Sequence, residues 1–390
     1  MQIMPFQLSI ARDEHGAYVF YAFSDESNLV MRIDIPDRLR DIGIRLLESP
    51  LPVFYDDPHE LGRELGQVLY PPEVQEMLSH AAQNALRTKR RVQIQLQIAI
   101  PELAALPWEW ASIPNPQPWA PARTDDFPVV RHSAVAKPAH PIVVDGPLRV
   151  LICVSDADYD SLRVISSLLA IEVVQQRIVI DVIVVTTITD IEVALQSAPV
   201  HILHCVAPVE LDHDQVLTLR FEEAIDIDDF RDLLAPYPTI GMVVITPVGP
   251  QSAQVMAYPQ IYAALLLNNT LMAAIAFGGV CRAEVLTRFA ATCYNAIIDG
   301  MPIDLAVSHA RRTLGNIDVD PLWGYPQLRL VPGGEAVFSI ASPQNRFEWL
   351  RAAGIIVVLI IALVAVTVLG RYLRGDGLPS IIQMLLPHTP

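Results

Sequence analysis

Apolar and polar residues follow different patterns in three parts of the chain, and the part from residue 144 to 340 is the most regular. Apolar runs bounded by turn residues alternate there with amphipathic stretches, which predicts buried strands separated by helices. Because these runs are apolar on both faces, helices should cover both sides of a mostly parallel sheet. We therefore predict a three-layer α/β core. Its predicted strands are 148–154, 178–185, 200–206, 241–246 and 271–277.

The first 143 residues predict a different, β-rich region. Residues 91–100 read RVQIQLQIAI, and this alternation of polar and apolar side chains is typical of a strand with one buried face. A connector rich in proline, KPAHPIVVDGP at Lys137–Pro147, then marks a boundary. We interpret residues 1–143 as an accessory region packed against the α/β core at 144–340.

The third part is an uncharged apolar run near the C-terminus, Ala352–Leu369, with Arg351 and Arg371 at its ends. Eighteen helical residues extend about 27 Å, close to the roughly 30 Å hydrocarbon core of a bilayer. This pattern predicts one C-terminal transmembrane helix, with a buried core helix as the alternative. The expected division is a linker over 341–351, a transmembrane helix over 352–370 and a short tail over 371–390.

The net charge of −16 narrows the expected partners. No basic patch stands out that could neutralise phosphates, so we expect no nucleic acid. The N-terminus, MQIMPFQLSIARDEHG, lacks the basic start and apolar core of a secretory signal. Together with the apolar run, this predicts a single-pass, tail-anchored membrane protein. It would contact the lipid bilayer through Ala352–Leu369 and keep its main domain in the cytoplasm.

Four cysteines lie in apolar surroundings, and no two form a C-x-x-C pair. This pattern is typical of buried free thiols in a reducing compartment and not of a zinc site or a disulfide framework. Glycine-rich phosphate-binding fingerprints are also missing from the sequence. We therefore expect no metal and no cofactor. The cysteines are Cys153, Cys205, Cys281 and Cys293.

Candidate chemistry is concentrated where two predicted strands end. The strand VHILHCV contains His204 and Cys205, and the next strand ends near Thr246. A histidine and a cysteine could supply a base and a nucleophile. Adjacent strand residues point to opposite faces, however, so these two cannot hydrogen-bond while both stay in the strand. Acidic residues at 222–229 fit no calcium loop and predict a solvated face that caps a helix.

Several motifs, in order along the chain, resemble the CHAT domain family, whose members are relatives of caspases and separases. LPWEW at Leu106–Trp110 resembles the family's LPWE signature, and VHILHCVAP resembles the strand that normally ends in H-x-x-G-H-G. FAATCYNAIIDGMPIDLAVSHARRTLG at Phe289–Gly315 and WGYPQLRL at Trp323–Leu330 resemble its closing motifs. The resemblance covers residues 55–332 and implies a caspase-like fold. The motif positions it marks as structural are Pro107, Trp108, Glu109, Arg311 and Trp323.

The resemblance also implies where a catalytic dyad should lie, and this chain departs from the family there. The family's general base, a histidine, maps to Pro208. Its nucleophilic cysteine maps to Val248, or to Pro247 if the alignment shifts by one residue. His204 then matches an upstream structural histidine. Both dyad positions therefore hold residues that cannot transfer a proton or attack a carbonyl.

Two functions follow from these features. The first is a membrane-anchored, catalytically inactive pseudopeptidase that binds a protein partner or regulates a relative in signalling or defence. The second is an active cysteine endopeptidase with a relocated dyad, His204 with Cys205 or Cys281.

Overall fold

The computed structural model of the chain describes residues 2–48, 57–113, 119–132, 140–155, 165, 168–211, 217–248, 271–278, 283–315 and 321–340. These residues form strands β1 (Ile3–Arg12), β2 (Tyr18–Phe23), β3 (Asn28–Arg32), β4 (Arg91–Ile98), β5 (Val129–His132), β6 (Ile142–Val144), β7 (Leu148–Val154), β8 (Ile178–Val184), β9 (Ile202–Ala207), β10 (Val209–Leu211), β11 (Leu217–Arg220), β12 (Ala224–Asp226), β13 (Met242–Pro247), β14 (Ala273–Phe277), β15 (Pro326–Leu330) and β16 (Phe338–Ile340). The α-helices are α1 (Asp37–Glu48), α2 (Pro58–Leu69), α3 (Pro72–Thr88), α4 (Pro101–Ala104), α5 (Ala170–Val174), α6 (Ile188–Ser197), α7 (Ile227–Leu234), α8 (Ala283–Ile298) and α9 (Ile303–Thr313). Short 3-10 helices lie at Trp108–Trp110, Pro121–Arg123 and Pro321–Gly324.

One sheet of eleven strands organises these elements, in the order β3-β2-β1-β4-β5-β15-β14-β13-β9-β7-β8. The five strands from β14 to β8 are parallel to one another, and each matches a predicted apolar run to within two residues. The predicted mostly parallel α/β sheet is therefore confirmed, and it fits the caspase-like arrangement that the motifs imply.

The central strands are buried on both faces because each face carries its own apolar core. Ile202 and Val206 of β9 belong to one cluster, whereas Leu203 and Cys205 belong to the other. All six residues of β9 are buried, which explains why the strand reads as a continuous apolar run.

The N-terminal strands extend this same sheet edge to edge and do not form a separate layer. β15 pairs antiparallel with β14 and parallel with β5, and β5 pairs parallel with β4, which is parallel to β1. Joining distant segments through the short strands β5 and β15 was not predicted. The division at residues 143/144 stays a prediction.

β4 differs from its predicted pattern, since its polar side is buried as well. Arg91 and Gln93 both donate hydrogen bonds to Asp304 at the start of α9, with Arg91 Nη2 at 2.9 Å from Oδ1 and Gln93 Nε2 at 2.6 Å from Oδ2. The alternation predicts that the polar face of β4 is exposed to solvent. This prediction is wrong because the carboxylate of Asp304, on a helix more than 200 residues later in the chain, covers these side chains.

The predicted architecture with one transmembrane helix, and with it the single-pass membrane localisation, is corrected. Within the described ranges, no helix is long and apolar enough to cross a membrane. A membrane span needs about 20 apolar residues. The longest helix in those ranges, α3, has 17 residues and carries charged residues such as Glu73 and Arg87. The segment 352–370, with its proposed bilayer contact at Ala352–Leu369, lies outside the described residues.

Candidate functional site

The two positions that the motifs assign to a dyad lie at the same end of the sheet, where the parallel strands β9 and β13 terminate. β9 and β13 are parallel neighbours, and Pro247 is paired with Ala207 at their C-terminal ends. Pro208 and Val248 are the next residues on each strand. The Val248 N–H donates to the Ala207 carbonyl at 3.4 Å. In α/β sheets ligands usually bind at the C-terminal ends of the parallel strands.

Neither position offers acid–base or nucleophilic chemistry. Pro208 is half-buried, and its carbonyl accepts a hydrogen bond from the Arg220 N–H at 2.8 Å as the chain enters β10. Val248 is half-buried and packs against the apolar core. Neither side chain can hold a proton or attack a carbonyl. Pro247, the last residue of β13, is equally inert because a proline side chain has no ionisable or nucleophilic group.

His204 lies inside β9, before the C-terminal end of the strand. Both of its ring nitrogens make hydrogen bonds. Its Nε2 is 3.0 Å from Thr246 Oγ1, and its Nδ1 is 2.9 Å from the Tyr294 hydroxyl. All three side chains are at most 1% exposed. A neutral imidazole has one donor and one acceptor nitrogen, so these two contacts use both.

Burial lowers the pKa of His204 to about 3, because a charged imidazolium would lose its hydration there. Burial also raises the pKa of Tyr294 well above its ordinary value. The chain of three groups is thus neutral at physiological pH. It joins β9 and β13 to α8 and leaves no ring nitrogen available to a substrate.

Cys205 points away from His204, into the other apolar core. It is paired in register with Cys153 on β7, and both thiols are buried. Burial, together with the contact to Cys205, raises the pKa of Cys153 well above that of an ordinary thiol. The two side chains therefore lie on opposite faces of the sheet, with Cys205 in one apolar core and His204 against Tyr294 on the other side. Cys281 lies outside the described residues.

Cys293 lies on α8 and is fully buried. Burial raises the pKa of its thiol to about 12, which keeps it protonated and unreactive at neutral pH. The free thiol predicted from the sequence is observed for this residue.

The LPWEW segment forms a buried 3-10 turn that begins after Pro107. The Trp108 indole N–H donates to the Leu103 carbonyl at 2.6 Å, and the ring is 1% exposed. Glu109 is fully buried and accepts two hydrogen bonds from Arg131 of β5, at 2.9 Å from Nε and 2.7 Å from Nη2. Burial opposes the charged form of Glu109. The Arg131 guanidinium outweighs this and holds the Glu109 pKa below its ordinary value.

Arg311 is a second fully buried cation near this turn, but main-chain carbonyls bind it in place of a carboxylate. It donates to the Pro326 carbonyl at 2.7 Å and 3.1 Å, and to the carbonyls of Ala122 and Val129 at 3.2 Å and 3.3 Å. Burial lowers its pKa to about 10, while the negative charge of Glu109 works in the opposite direction. Arg311 thereby ties α9 to β5 and β15.

Trp323 completes the cluster. It is 5% exposed, and the Arg123 guanidinium lies 5.4 Å from the centre of its ring. The next residue, Gly324, packs so closely on Trp110 that a Cβ would lie 1.7 Å from the indole. The five structural positions implied by the motifs therefore lie at the junction of the N-terminal strands with the core.

Sequence reasoning missed three residues that complete these arrangements. In the sequence Thr246 only marks the end of a predicted strand, whereas in the structure its hydroxyl is a hydrogen-bond partner of His204. Tyr294 looked like an ordinary helix residue, and Arg131 was not singled out. The only available signal for Arg131 was a charge inside the apolar strand VVRH of β5.

The acidic segment caps a helix, as its composition suggested. The Asp226 carboxylate accepts from the Asp228 N–H at 2.7 Å at the start of α7. In the described part of the chain, no three or more histidine, cysteine or acidic side chains come together in a way that could hold a metal ion.

Ser308 on α9 provides a test of this core. Its side chain is fully buried, and Oγ has no hydrogen-bond partner among the described residues. We expect Ser308→Ala to leave the free energy of unfolding unchanged or to raise it by up to about 2 kcal/mol, because a buried unpaired hydroxyl is removed. Urea titrations followed by circular dichroism would measure this.

The matched control is Thr246→Val, which removes the partner of His204 Nε2 without changing the size of the side chain. It should cost about 1–3 kcal/mol, since a buried ring nitrogen is left unpaired. A loss above about 1 kcal/mol for Ser308→Ala would contradict the expectation for that residue.

The comparisons with known proteins add structural neighbours but no family. No protein-family model and no curated protein matches the sequence. Among solved structures, the chain is similar to two crystal structures of the Saccharomyces cerevisiae separase–securin complex, at 3.0 Å and 2.6 Å resolution. The TM-scores are 0.43 and 0.41 and the sequence identity is 8% in each case. The matches cover 84% of this chain and 30% of the matched chain, so this chain spans about a third of the length of these neighbours.

Proposed function

We propose that this chain is a degenerate caspase-like domain, a pseudopeptidase that acts by binding and regulating another protein. The observation that carries this proposal is the pair Pro208 and Val248 at neighbouring strand ends. These positions meet at one edge of the sheet, where the resemblance expects a base and a nucleophile.

Loss of both groups should abolish cysteine-peptidase chemistry. A thiolate needs a base within hydrogen-bond reach, and the base needs an accessible ring nitrogen. Removing either member of a catalytic pair usually removes nearly all of the rate that the pair supplies. His204 does not compensate, because its two nitrogens are occupied and its pKa of about 3 makes it a weak base.

The alternative is an active cysteine endopeptidase with a relocated dyad. Cys205 is poorly placed to be the nucleophile of a dyad with His204, because its side chain belongs to the apolar core on the opposite face of the sheet. Cys153 and Cys293 are buried, with pKa values raised by burial. The alternative therefore depends on Cys281.

We expect an electrophilic cysteine-protease probe to leave the full-length chain unlabelled, because the three described cysteines, Cys153, Cys205 and Cys293, are all buried. The matched control is Pro208→His combined with Val248→Cys, which places a base and a thiol at the two positions and should be labelled if the C-terminal ends of β9 and β13 are open to the probe. Intact-mass spectrometry followed by peptide mapping would measure both. Stoichiometric labelling of wild-type Cys205 or Cys281, lost in His204→Gln, would instead establish the endopeptidase.

Binding at this edge can be tested separately. Val248→Arg places a bulky charge at the edge, whereas Val143→Arg does so on the exposed strand β6, where Val143 is 67% exposed. A protein partner captured by wild type and by Val143→Arg, but not by Val248→Arg, would support the proposal. Equal capture by all three would argue against binding at this edge.

A further inference from the structure

A groove with a volume of about 420 Å³ follows one face of α8. The α8 face and the residue after it contribute four polar side chains spaced three or four positions apart, and such residues lie above one another on a helix. They are Arg288, Thr292, Asn295 and Asp299. The α5 segment and the start of the chain towards and along α9 line the rest of the groove. Clefts of this volume are the size that holds small ligands.

The α5 segment gives the groove an apolar lining. Leu168 and Ile171 both line it and are 55% and 68% exposed, and Met301 lines it as well. Exposed aliphatic side chains that line a concave surface favour a ligand with apolar groups.

The charges of the groove are separated along α8. Arg288 precedes Asp299 by eleven residues, which corresponds to about 16 Å along a helix. Glu172 belongs to the Asp299 end, because the Arg177 main chain donates to the Glu172 carbonyl at 2.8 Å while its side chain pairs with Asp299 at 2.5 Å. One end of the groove is therefore cationic and the other is acidic.

Several polar groups of the groove have unused hydrogen-bonding or charge-pairing capacity. Among the described residues, Arg288 and Glu172 make no ion pair, and Asn295 Oδ1 has no hydrogen-bond partner. His309 Nδ1 accepts from Arg312 at 2.7 Å, so its Nε2 carries the proton and can donate. A ligand with complementary groups would satisfy these side chains.

The length of the groove and its two opposite charges indicate the class of ligand. A nucleic acid would bring phosphates to the acidic end, and a single amino acid is too short to reach both ends. An extended peptide advances about 3.3 Å per residue, so about five residues span 16 Å. A helix of that length, about 10 Å across, would fill more than about 1,000 Å³ and does not fit.

We propose that this groove binds an extended peptide segment of about five residues. An acidic residue of the segment faces Arg288, a basic residue faces Glu172 and Asp299, and apolar side chains between them contact Leu168 and Ile171. This binding is independent of the pseudopeptidase function, since α5, α8 and α9 contain neither of the two dyad positions.

The first experiment titrates the full-length chain with capped peptides by isothermal titration calorimetry. The peptides ELALK, KLALE and QLALQ are all uncharged overall, so the net charge of −16 does not favour any of them. The better of the two charged peptides should bind about tenfold more tightly than QLALQ, the effect of two partly exposed charge pairs.

The second experiment reverses the cationic end. Arg288→Glu should weaken binding of that charged peptide by about tenfold, because an attraction is lost and a repulsion is gained. Arg87→Glu is the matched control, since Arg87 is exposed on α3 and its reversal changes the net charge equally. The doubly basic peptide KLALK should bind Arg288→Glu about fivefold more tightly than Arg87→Glu.

The third variant, Asn295→Leu, separates binding from folding. It should weaken peptide binding by about three- to tenfold, because the amide that meets the peptide backbone is lost. Its urea midpoint should not fall, since Oδ1 has no partner in the folded chain. Absence of binding by all three neutral peptides up to about 1 mM would overturn the proposal, as would binding that Arg288→Glu leaves unchanged.

Discussion

Replacing His204 with glutamine should make the folded chain less sensitive to acid. In the folded protein the pKa of His204 is about 3, whereas an unfolded histidine has a pKa near 6.5. Between these values the unfolded state binds more protons, so wild-type stability is fully present above about pH 6.5 and falls as the pH drops towards 3. The loss amounts to about 1.4 kcal/mol per pH unit, or about 5 kcal/mol over the window.

Glutamine cannot take up this proton, so the variant should lack that part of the pH dependence. At pH 7 it should be less stable by about 1–3 kcal/mol, because the hydrogen bonds to Thr246 and Tyr294 are disturbed. Urea unfolding at pH 7, 6, 5 and 4 would show the difference between variant and wild type shrinking with acid. The exposed His80→Gln is the control. Parallel pH profiles for wild type and His204→Gln would contradict the burial of a neutral imidazole.

Glu109→Gln should be among the most destabilising single substitutions in this chain. It removes the negative charge that accepts two hydrogen bonds from Arg131 and leaves two buried guanidinium groups, Arg131 and Arg311, without a counter-charge. Breaking a buried pair in this way costs about 3–5 kcal/mol. By contrast, Asp25→Asn breaks the half-exposed pair with Arg90 and should cost less than about 1 kcal/mol.

A double-mutant cycle separates the interaction energy of the Glu109–Arg131 pair from the cost of burying an unpaired charge. Glu109→Gln combined with Arg131→Met should be less destabilising than the sum of the two single changes, since no unpaired charge of that pair remains. Urea midpoints with unchanged slopes would report all four stabilities. Strictly additive effects would mean that the two groups do not interact as the geometry indicates.

The correction of the membrane prediction has a clear physical origin. An apolar run of eighteen residues indicates only that the segment can span a bilayer, and the described helices that could have supported the prediction are short and amphipathic. The membrane architecture was therefore predicted for the whole chain from the hydropathy of a single segment. The strands, in contrast, were predicted well because apolar runs in a parallel sheet are covered on both faces and need no distant information.

Local sequence alone determined the parts of this protein that depend on short-range periodicity and residue type. It gave the five parallel strands, the opposite orientation of His204 and Cys205, and the absence of ionisable groups at Pro208 and Val248. Only the tertiary structure decided that Tyr294, 90 residues further along, completes the hydrogen bonds of His204, and that the N-terminal strands join the same sheet. These contacts depend on which surfaces pack together after the chain folds, and no local pattern of apolar residues specifies that choice.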